Sequence, residues 1–351
     1  MYLVLQGTVL LLAGGNAAHA EEERTLADCA AIENDAQRLG CYDVLSGRRP
    51  STLTVEEQPV VSPQETSAAS EPPAAIVQEG PPAKHLSALS RHWELDSESK
   101  QGTFLLRPHE PNYLLIGKYS TNPNPQPASP TRGDSPPQDL DGAEASFQIS
   151  LKVKAAEGLF AGHADLWFAY TQQSFWQVYN ARNSRPFRET NYEPEAMLLF
   201  PTNYSLLGLK GRFINLGLLH QSDGQSGSLS RSWNRIYAQF AFERGDFALL
   251  VRPWYRLPEH APSDDNPDIQ DYMGHGDLVA VYKRGDQTFS ILLRNFLRSD
   301  YRGTVELGYS FPLAGRLKGY LQLFNGYGQS LLDYNHNQTT IGIGLMLTDW
   351  M

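Results

Sequence analysis

The chain has 351 residues and a formal net charge of −10, from 29 basic and 39 acidic side chains. This acidic balance argues against nucleic acid as a partner. Hydrophobic residues make up 41% of the chain and charged residues 19%, which excludes a disordered protein and suffices for one large domain with an appendage. Beyond the N-terminus no apolar run reaches the ~18 to 20 residues of a membrane-spanning helix, so an α-helical membrane protein is excluded. The 38 aromatic residues (6 Trp, 17 Tyr, 15 Phe) beside 29 Gly are typical of soluble β-proteins and of membrane β-barrels.

The first twenty residues have the pattern of a secretory signal peptide. The stretch from Leu3 to Gly15 is apolar apart from two residues, and Ala18-His19-Ala20 is a small-x-small cleavage pattern. This segment contains no Lys or Arg, which leaves a short buried strand as the alternative. Because Glu21-Glu22-Glu23 would make a polar mature terminus, we predict a signal peptide over residues 1–20 and export of the protein.

Both cysteines of the chain, Cys29 and Cys41, lie in a short module over residues 21–49. In an oxidising periplasm, two cysteines this close are expected to pair. Apolar residues between them recur at helical spacing, so the bridge would join a small helical hairpin. A metal site, the alternative, would need further ligands nearby, and none is evident.

Two stretches rich in proline interrupt the rest of the chain. Residues 50–90 are dominated by Pro, Ser, Ala, Glu and Val without periodicity, which predicts a disordered linker between the N-terminal module and a domain over residues 91–351. The second stretch, residues 121–137, predicts a loop.

From Tyr113 onward, apolar residues alternate with polar or small ones. The runs 147–153 and 341–347 are clear cases, and each such strand has one oily face. About twelve runs occur, near residues 112–120, 145–154, 164–173, 192–201, 211–220, 232–243, 246–256, 275–284, 287–297, 303–311, 315–325 and 339–349. An even number of strands of about ten residues is what a single-chain outer-membrane barrel requires.

A soluble β-sandwich is the alternative, because its strands alternate in the same way. The export signal, the aromatics near strand ends and Trp350 at the end of the last strand favour a membrane barrel, although Met351 departs from the usual terminal aromatic. We therefore predict an all-β fold: a twelve-stranded antiparallel transmembrane β-barrel in the bacterial outer membrane. The disulfide-stapled helical module would lie on the periplasmic side, before the first barrel strand.

Three polar residues continue apolar strand faces. His220 and Ser222 share the parity of Leu216 and Leu218, and Asn234 shares the parity of apolar residues on the following run. Residues i and i+2 of a strand lie ~6.6 to 7 Å apart, close enough for an imidazole to reach a hydroxyl. The pattern predicts Ser222 as a nucleophile for an ester carbonyl, His220 as its base and Asn234 as the residue that holds the other ring nitrogen. The simpler alternative places Ser222 in a loop and Asn234 at a strand end.

The segment between these two runs offers further polar groups. Gly224 would let the backbone turn so that amide N–H groups point at a developing oxyanion. Serines at positions 226, 228, 230 and 232 supply oxygen ligands of the kind that Ca²⁺ accepts, although serine-rich loops are usually only solvated.

Several blocks of the sequence resemble the outer membrane phospholipase A family. They include His220-Gln221-Ser222-Asp223-Gly224 and lie at residues 170–177, 184–195, 220–224, 230–235, 264–269 and 325–335. The resemblance implies a twelve-stranded barrel that hydrolyses phospholipids at the A1 and A2 positions, and lysophospholipids as well. It matches Ser222 to the nucleophile, His220 to the base, Asn234 to the orienting residue and Gly224 to the oxyanion region.

The resemblance also implies calcium dependence and a reversible, calcium-linked homodimer. Its calcium ligands fall on Ser184 of one subunit and on Gln225 and Ser230 of the other. Gln225 stands where the family often has Arg, a position expected to coordinate through its carbonyl. Gln172 matches a glutamine at the dimer interface, and its parity independently places it on the oily face.

Two other classes of function remain open from the sequence. A porin or transporter would have an open, charged lumen and only incidental triad-like residues. A soluble secreted esterase would need a Gly-x-Ser-x-Gly elbow, whereas the sequence around Ser222 is Leu-His-Gln-Ser-Asp-Gly.

Overall fold

The computed structural model of the protein describes residues 26–32, 34–46, 86–184, 187–295 and 302–350. The signal peptide expected over residues 1–20 and nearly all of the linker expected over residues 50–90 lie outside the described residues. The chain divides into two compact units, residues 1–78 and 79–351. Among the described residues, no helix is long and apolar enough to cross a bilayer.

The described part of the N-terminal unit is a helical hairpin joined by a disulfide. Its helices are Leu26–Ala30 and Asp35–Leu45, and the side chain of Asn34 caps the second by accepting a hydrogen bond from the backbone N–H of Gln37. Cys29 and Cys41 are bonded, with their Cα atoms 5.6 Å apart. The predicted pairing is confirmed.

The larger unit contains twelve antiparallel barrel strands. They are β1 (Asn112–Ser120), β2 (Ala143–Gly158), β3 (Ala164–Trp176), β4 (Glu189–Leu206), β5 (Leu209–Ser222), β6 (Ser232–Arg244), β7 (Phe247–Arg256), β8 (Gly276–Arg284), β9 (Gln287–Arg294), β10 (Thr304–Ala314), β11 (Leu317–Gly326) and β12 (Gln338–Thr348). Each strand pairs with the next, and β12 closes the barrel by pairing with β1 in a register that sets Ile341 opposite Tyr119. The predicted twelve-stranded antiparallel barrel is confirmed.

Short elements accompany the barrel. The strand Leu106–Pro108 extends the pairing of β2, and the strands Ala128–Ser129 and Gly133–Asp134 form a small ribbon between β1 and β2. The remaining short helices and helical turns are Ala88–Trp93, Ser97–Ser99, Leu159–Gly162, Gly227–Leu229 and Ile269–Met273.

The strands place apolar side chains outside and polar ones inside. On β2, Ile149 is 48% exposed, whereas the inward-facing Lys152 is 1% exposed. The same alternation exposes leucines and isoleucines around the wall, including Ile341 and Ile343 on β12. A soluble sandwich would bury its apolar face, so this inverted burial favours a wall that faces lipid.

Ion pairs and hydrogen bonds fill the barrel interior. The Lys118 ammonium lies 2.9 Å from a Glu144 carboxylate oxygen, and Arg252 lies at the same distance from Asp277. A polar cavity lined in part by Arg235 has a volume of only about 110 Å³. A porin would need an open lumen, so the packed interior of the described barrel argues against that class.

The helix Ala88–Trp93 also packs inside the barrel. Leu89 and Trp93 are nearly fully buried against Trp167 and Phe213, and the Lys152 ammonium lies 3.3 Å from the centre of the Trp93 ring. This helix begins inside the range 50–90 that the sequence analysis assigned to the linker. The sequence does not reveal this helix because its apolar residues contact barrel residues that lie far along the chain. Its own six residues carry no periodic signal.

Candidate active site on the outer wall

The candidate catalytic residues come together where β5 and β6 pair. His220 on β5 lies directly opposite Asn234 on β6, and its Nδ1 is 2.8 Å from Asn234 Oδ1. His220 is exposed on the same face as Leu216 and Leu218, so the pair is on the outer wall. In this orientation the amide oxygen faces Nδ1 and can only accept, which places the imidazole proton on Nδ1 and leaves Nε2 to accept another.

Ser222 is the last residue of β5, opposite Ser232 of β6 and Tyr192 of β4. Two residues beyond His220 on the same strand, it faces the same side of the sheet. Its hydroxyl makes no hydrogen bond to the imidazole among the hydrogen bonds of the described residues. Catalytic hydrogen bonds of this kind often tighten only when substrate is bound. The simpler alternative placed Ser222 in a loop and Asn234 at a strand end; in the structure Ser222 is the last residue of β5 and Asn234 is the third residue of β6.

Directly beneath the site, the inward-facing residues of the same strands form a hydrogen-bonded layer. Trp233 Nε1 donates to Gln221 Oε1 at 2.7 Å, and Gln221 Nε2 donates to Glu193 at the same distance. The Arg235 guanidinium lies 3.9 Å from the Trp233 ring centre. Strand alternation does not mark these residues as functional, although their parity places them on the face opposite His220 and Asn234. They hold the backbone that carries the outer residues.

In the loop that follows Ser222, the Asp223 carboxylate joins two parts of the backbone. Asp223 Oδ1 accepts hydrogen bonds from the backbone N–H of Gln225 at 3.0 Å and of Arg231 at 3.1 Å. Burial raises the pKa of Asp223 to about 6 against the lowering effect of these two hydrogen bonds. Gly224 has φ +66°, and a Cβ there would lie 3.0 Å from the Tyr192 ring, so the position strongly favours glycine.

Two of the three candidate calcium ligands, Gln225 and Ser230, lie in this loop. The Ser230 backbone N–H donates to the Gly227 carbonyl at 3.3 Å, and Ser230 Oγ donates to Asp265 Oδ2 at 2.7 Å. Asp223 Oδ2 is buried and has no hydrogen-bond partner among the described residues. Hydroxyl, carbonyl and carboxylate oxygens are the donor set of a hard cation, so the residues fit Ca²⁺.

The third candidate ligand, Ser184, lies on a different loop, between β3 and β4. Its backbone carbonyl accepts a hydrogen bond from Trp176 Nε1 at 2.9 Å. The described contacts do not bring Ser184 to Gln225 or Ser230. Within the described ranges, no three His, Cys, Asp or Glu side chains converge as metal ligands. Within one chain, the three candidate ligands therefore lie on two separate loops.

Gln172 lies on the outer face of β3, flanked by Tyr170 and Ser174. The Tyr170 hydroxyl donates to its Oε1, and its Nε2 donates to Ser174 Oγ, both at 3.3 Å. The amide is half-exposed on a wall that is otherwise apolar, with Phe168 next along the same face. Polar groups in contact with lipid are costly, so the position of Gln172 favours an interface in which a polar group of another molecule covers its amide.

A carboxylate that the sequence analysis passed over also reaches the site. Asn234 Nδ2 donates to Glu259 Oε1 at 3.2 Å. Burial raises the pKa of Glu259, as does the nearby Asp264 carboxylate, whereas Arg256 and the Asn234 amide lower it. Glu259 lies in the long loop after β7, where strand alternation carries no information about side-chain direction.

An apolar groove opens beside the imidazole. It has a volume of about 380 Å³, and its walls include Phe168, Leu218 and Leu257, with His220 and Asn234 at one side. A groove of this composition on the outer wall suits a hydrocarbon chain whose polar end lies at the imidazole.

Comparison with known proteins assigns the chain to a family. The family model for phospholipase A1 matches residues 89–347. A phospholipase A1 homologue from Neisseria meningitidis serogroup B is 41% identical over 93% of this chain and 91% of its own length. Phospholipase A1 of Escherichia coli K12 is 39% identical over 70% of this chain and 82% of its own length.

Solved structures agree with this assignment. Outer membrane phospholipase A from Escherichia coli has a TM-score of 0.64 at 37% identity, covering 72% of this chain and 95% of that one. The Salmonella typhi enzyme, a dimer with bound calcium, has the same TM-score and coverage at 35% identity. An active-site mutant of the Escherichia coli enzyme, with asparagine replaced by alanine, has a TM-score of 0.63 at 36% identity and the same coverage. The chain therefore belongs to the outer membrane phospholipase A family and is a phospholipase of the bacterial outer membrane.

Proposed function

We propose that this phospholipase hydrolyses the acyl esters of phospholipids at both glycerol positions, and of lysophospholipids, with a Ser222-His220-Asn234 triad on its lipid-facing wall. The observation that carries the proposal is the 2.8 Å contact between His220 Nδ1 and Asn234 Oδ1 on the exposed face of β5 and β6. Polar groups such as an imidazole and an amide are costly on a lipid-facing surface of leucines, and residues of this kind tend to be functional. The Escherichia coli mutant supports an asparagine in the active site of a relative.

In the first half of the reaction, Ser222 Oγ attacks the ester carbonyl carbon while His220 Nε2 takes its proton. Asn234 accepts from Nδ1–H and so stabilises the imidazolium that forms. The tetrahedral oxyanion lies near the backbone turn at Gly224, where amide N–H groups are available. Collapse breaks the ester bond, His220 protonates the departing alcohol oxygen, and the acyl group remains on Ser222.

The second half of the reaction releases the fatty acid. His220 deprotonates a water molecule, which attacks the acyl ester of Ser222, and the proton then returns to Ser222 Oγ. The apolar groove beside His220 would hold the acyl chain during both halves.

We propose that Ca²⁺ is the cofactor and that two subunits share it. Gln225 and Ser230 of one subunit and Ser184 of the other would hold the ion, which when bound supplies positive charge to the oxyanion region. The split of the candidate ligands between two separate loops supports this arrangement, as does the calcium-bound dimer of the Salmonella typhi relative. Gln172 would lie in the interface, where a polar group of the partner could take up the hydrogen-bonding capacity of the amide that Tyr170 and Ser174 do not use.

The test is fatty-acid release from phospholipid micelles by the refolded full-length protein. We expect calcium-dependent hydrolysis of both acyl positions by the wild type. Ser222→Ala should lose turnover by several orders of magnitude and keep the heat-modifiable migration of a folded barrel. Wild-type turnover in Ser222→Ala would refute the triad.

A further inference from the structure

Glu259 is a carboxylate that contacts the triad from outside it. Its Oε1 accepts the 3.2 Å hydrogen bond from Asn234 Nδ2, while Oδ1 of the same amide is 2.8 Å from His220 Nδ1. The Asn234 side chain thus bridges a carboxylate on one side and the imidazole on the other.

The orientation of this amide decides which proton the imidazole carries. An amide can rotate by half a turn and exchange its oxygen for its NH₂ group. The rotated Asn234 would donate to Nδ1, which would place the imidazole proton on Nε2. His220 could then no longer accept the proton of Ser222.

We propose that Glu259 is a positioning residue that holds the Asn234 amide with its oxygen toward His220. An ionised carboxylate only accepts hydrogen bonds, so it favours the one orientation in which NH₂ faces the loop and oxygen faces the imidazole. This inference rests on the proposed triad and adds a fourth member that acts through Asn234 rather than on the substrate.

The backbone around Glu259 is held in place from both sides. The Leu257 N–H donates to the backbone carbonyl of Asn234 at 2.8 Å, so the loop leaves β7 beside the residue that Glu259 contacts. Pro258 restricts the backbone between Leu257 and Glu259. On the other side, Arg256 lies 2.6 Å from Asp264 Oδ1 and ties the strand end to the far part of the loop. Glu259 itself is half-buried.

The experiment compares Glu259→Ala and Glu259→Gln in the full-length protein with phospholipid micelles and calcium. Glu259→Ala should lower kcat about five- to tenfold, which is less than the loss of a direct hydrogen bond to the charged imidazole, because Glu259 is half-buried and acts only through Asn234; KM and the calcium midpoint should be unchanged. Glu259→Gln should recover part of the loss, because its oxygen can still accept from Asn234 but its NH₂ also tolerates the rotated amide. Asp134→Asn, which removes an exposed carboxylate from the loop after β1, is the matched control and should leave kcat unchanged.

A double-mutant comparison separates positioning from a general structural role. In an Asn234→Ala background, Glu259→Ala should cause no further loss, because the residue it acts through is already gone. Independent losses that multiply would overturn the proposal, as would full kcat in Glu259→Ala. A shift of the calcium midpoint without a change in kcat would also overturn it, by assigning the carboxylate to the metal. Activity surviving in Ser222→Ala would instead refute the triad itself, whatever Glu259 does.

Discussion

Replacing Asn234 with alanine tests how much this proposed orienting residue contributes to catalysis. The change removes the acceptor 2.8 Å from His220 Nδ1 and leaves the backbone pairing of β5 with β6 in place. A hydrogen bond to a charged partner contributes about 1.5 to 3 kcal/mol. Since about 1.4 kcal/mol corresponds to a tenfold change in rate, kcat should fall about 10- to 150-fold. Asn234 is half-exposed, which favours the lower part of that range.

The assay is steady-state hydrolysis of phospholipid in mixed micelles at saturating calcium, with barrel folding followed by heat-modifiable migration. Asn234→Asp is the matched variant, because its carboxylate still accepts from Nδ1–H. We expect it to retain more activity than Asn234→Ala. Full turnover in Asn234→Ala would show that the 2.8 Å contact has no catalytic role. A loss as large as that of Ser222→Ala would equally contradict the reasoning, because an orienting residue does not react.

Three further changes address the loop, the metal and the N-terminus. Gly224→Ala should lower kcat about tenfold in the same assay. A φ of +66° costs a non-glycine residue roughly 1 kcal/mol, and the added Cβ would in addition contact the Tyr192 ring. An unchanged kcat would show that the turn at Gly224 is unimportant for catalysis. Chelation of calcium should abolish activity and weaken the dimer. Ser230→Ala should raise the calcium concentration needed for half-maximal activity. Full activity of a metal-free monomer would contradict both predictions. Deleting residues 21–85 should leave barrel formation and hydrolysis largely unchanged. Trp93→Ala should lower the free energy of unfolding by about 3 to 5 kcal/mol, measured from the temperature dependence of migration on gels. A deletion variant that loses the barrel or its activity, beside an unaffected Trp93→Ala variant, would show that the deleted segment braces the barrel.

The sequence predicted the wall of the barrel well because strand alternation is a local signal. Leu216, Leu218 and His220 share one parity, and the structure exposes all three on the outer face. The pairing of His220 with Asn234 is not determined by a local sequence pattern. It depends on how a nine-residue loop returns the chain, and no local pattern specifies that geometry.

The residues that the sequence analysis missed are those positioned by distant contacts. Glu259 reaches Asn234 because Leu257 hydrogen-bonds to the backbone of β6, which is a property of the folded sheet. Trp93 is buried by Trp167 and Phe213, more than 70 positions along the chain, so the short helix that carries it has no amphipathic pattern of its own. Long-range packing of this kind becomes visible only when the barrel has closed.

The same alternation that builds the wall also makes the site depend on register. A slip of one residue between β5 and β6 would turn His220 into the lumen and Gln221 onto the lipid-facing surface, so a reactive outer face requires a fixed register. One device for this is Gly217, which pairs with Tyr237; a side chain at Gly217 would overlap the Tyr237 ring, so the tyrosine fits only opposite this glycine. The hydrogen bond between Trp233 and Gln221 adds a second constraint nearer the site. If the proposed triad is the active site, its geometry on the outside of the barrel therefore depends on packing inside it.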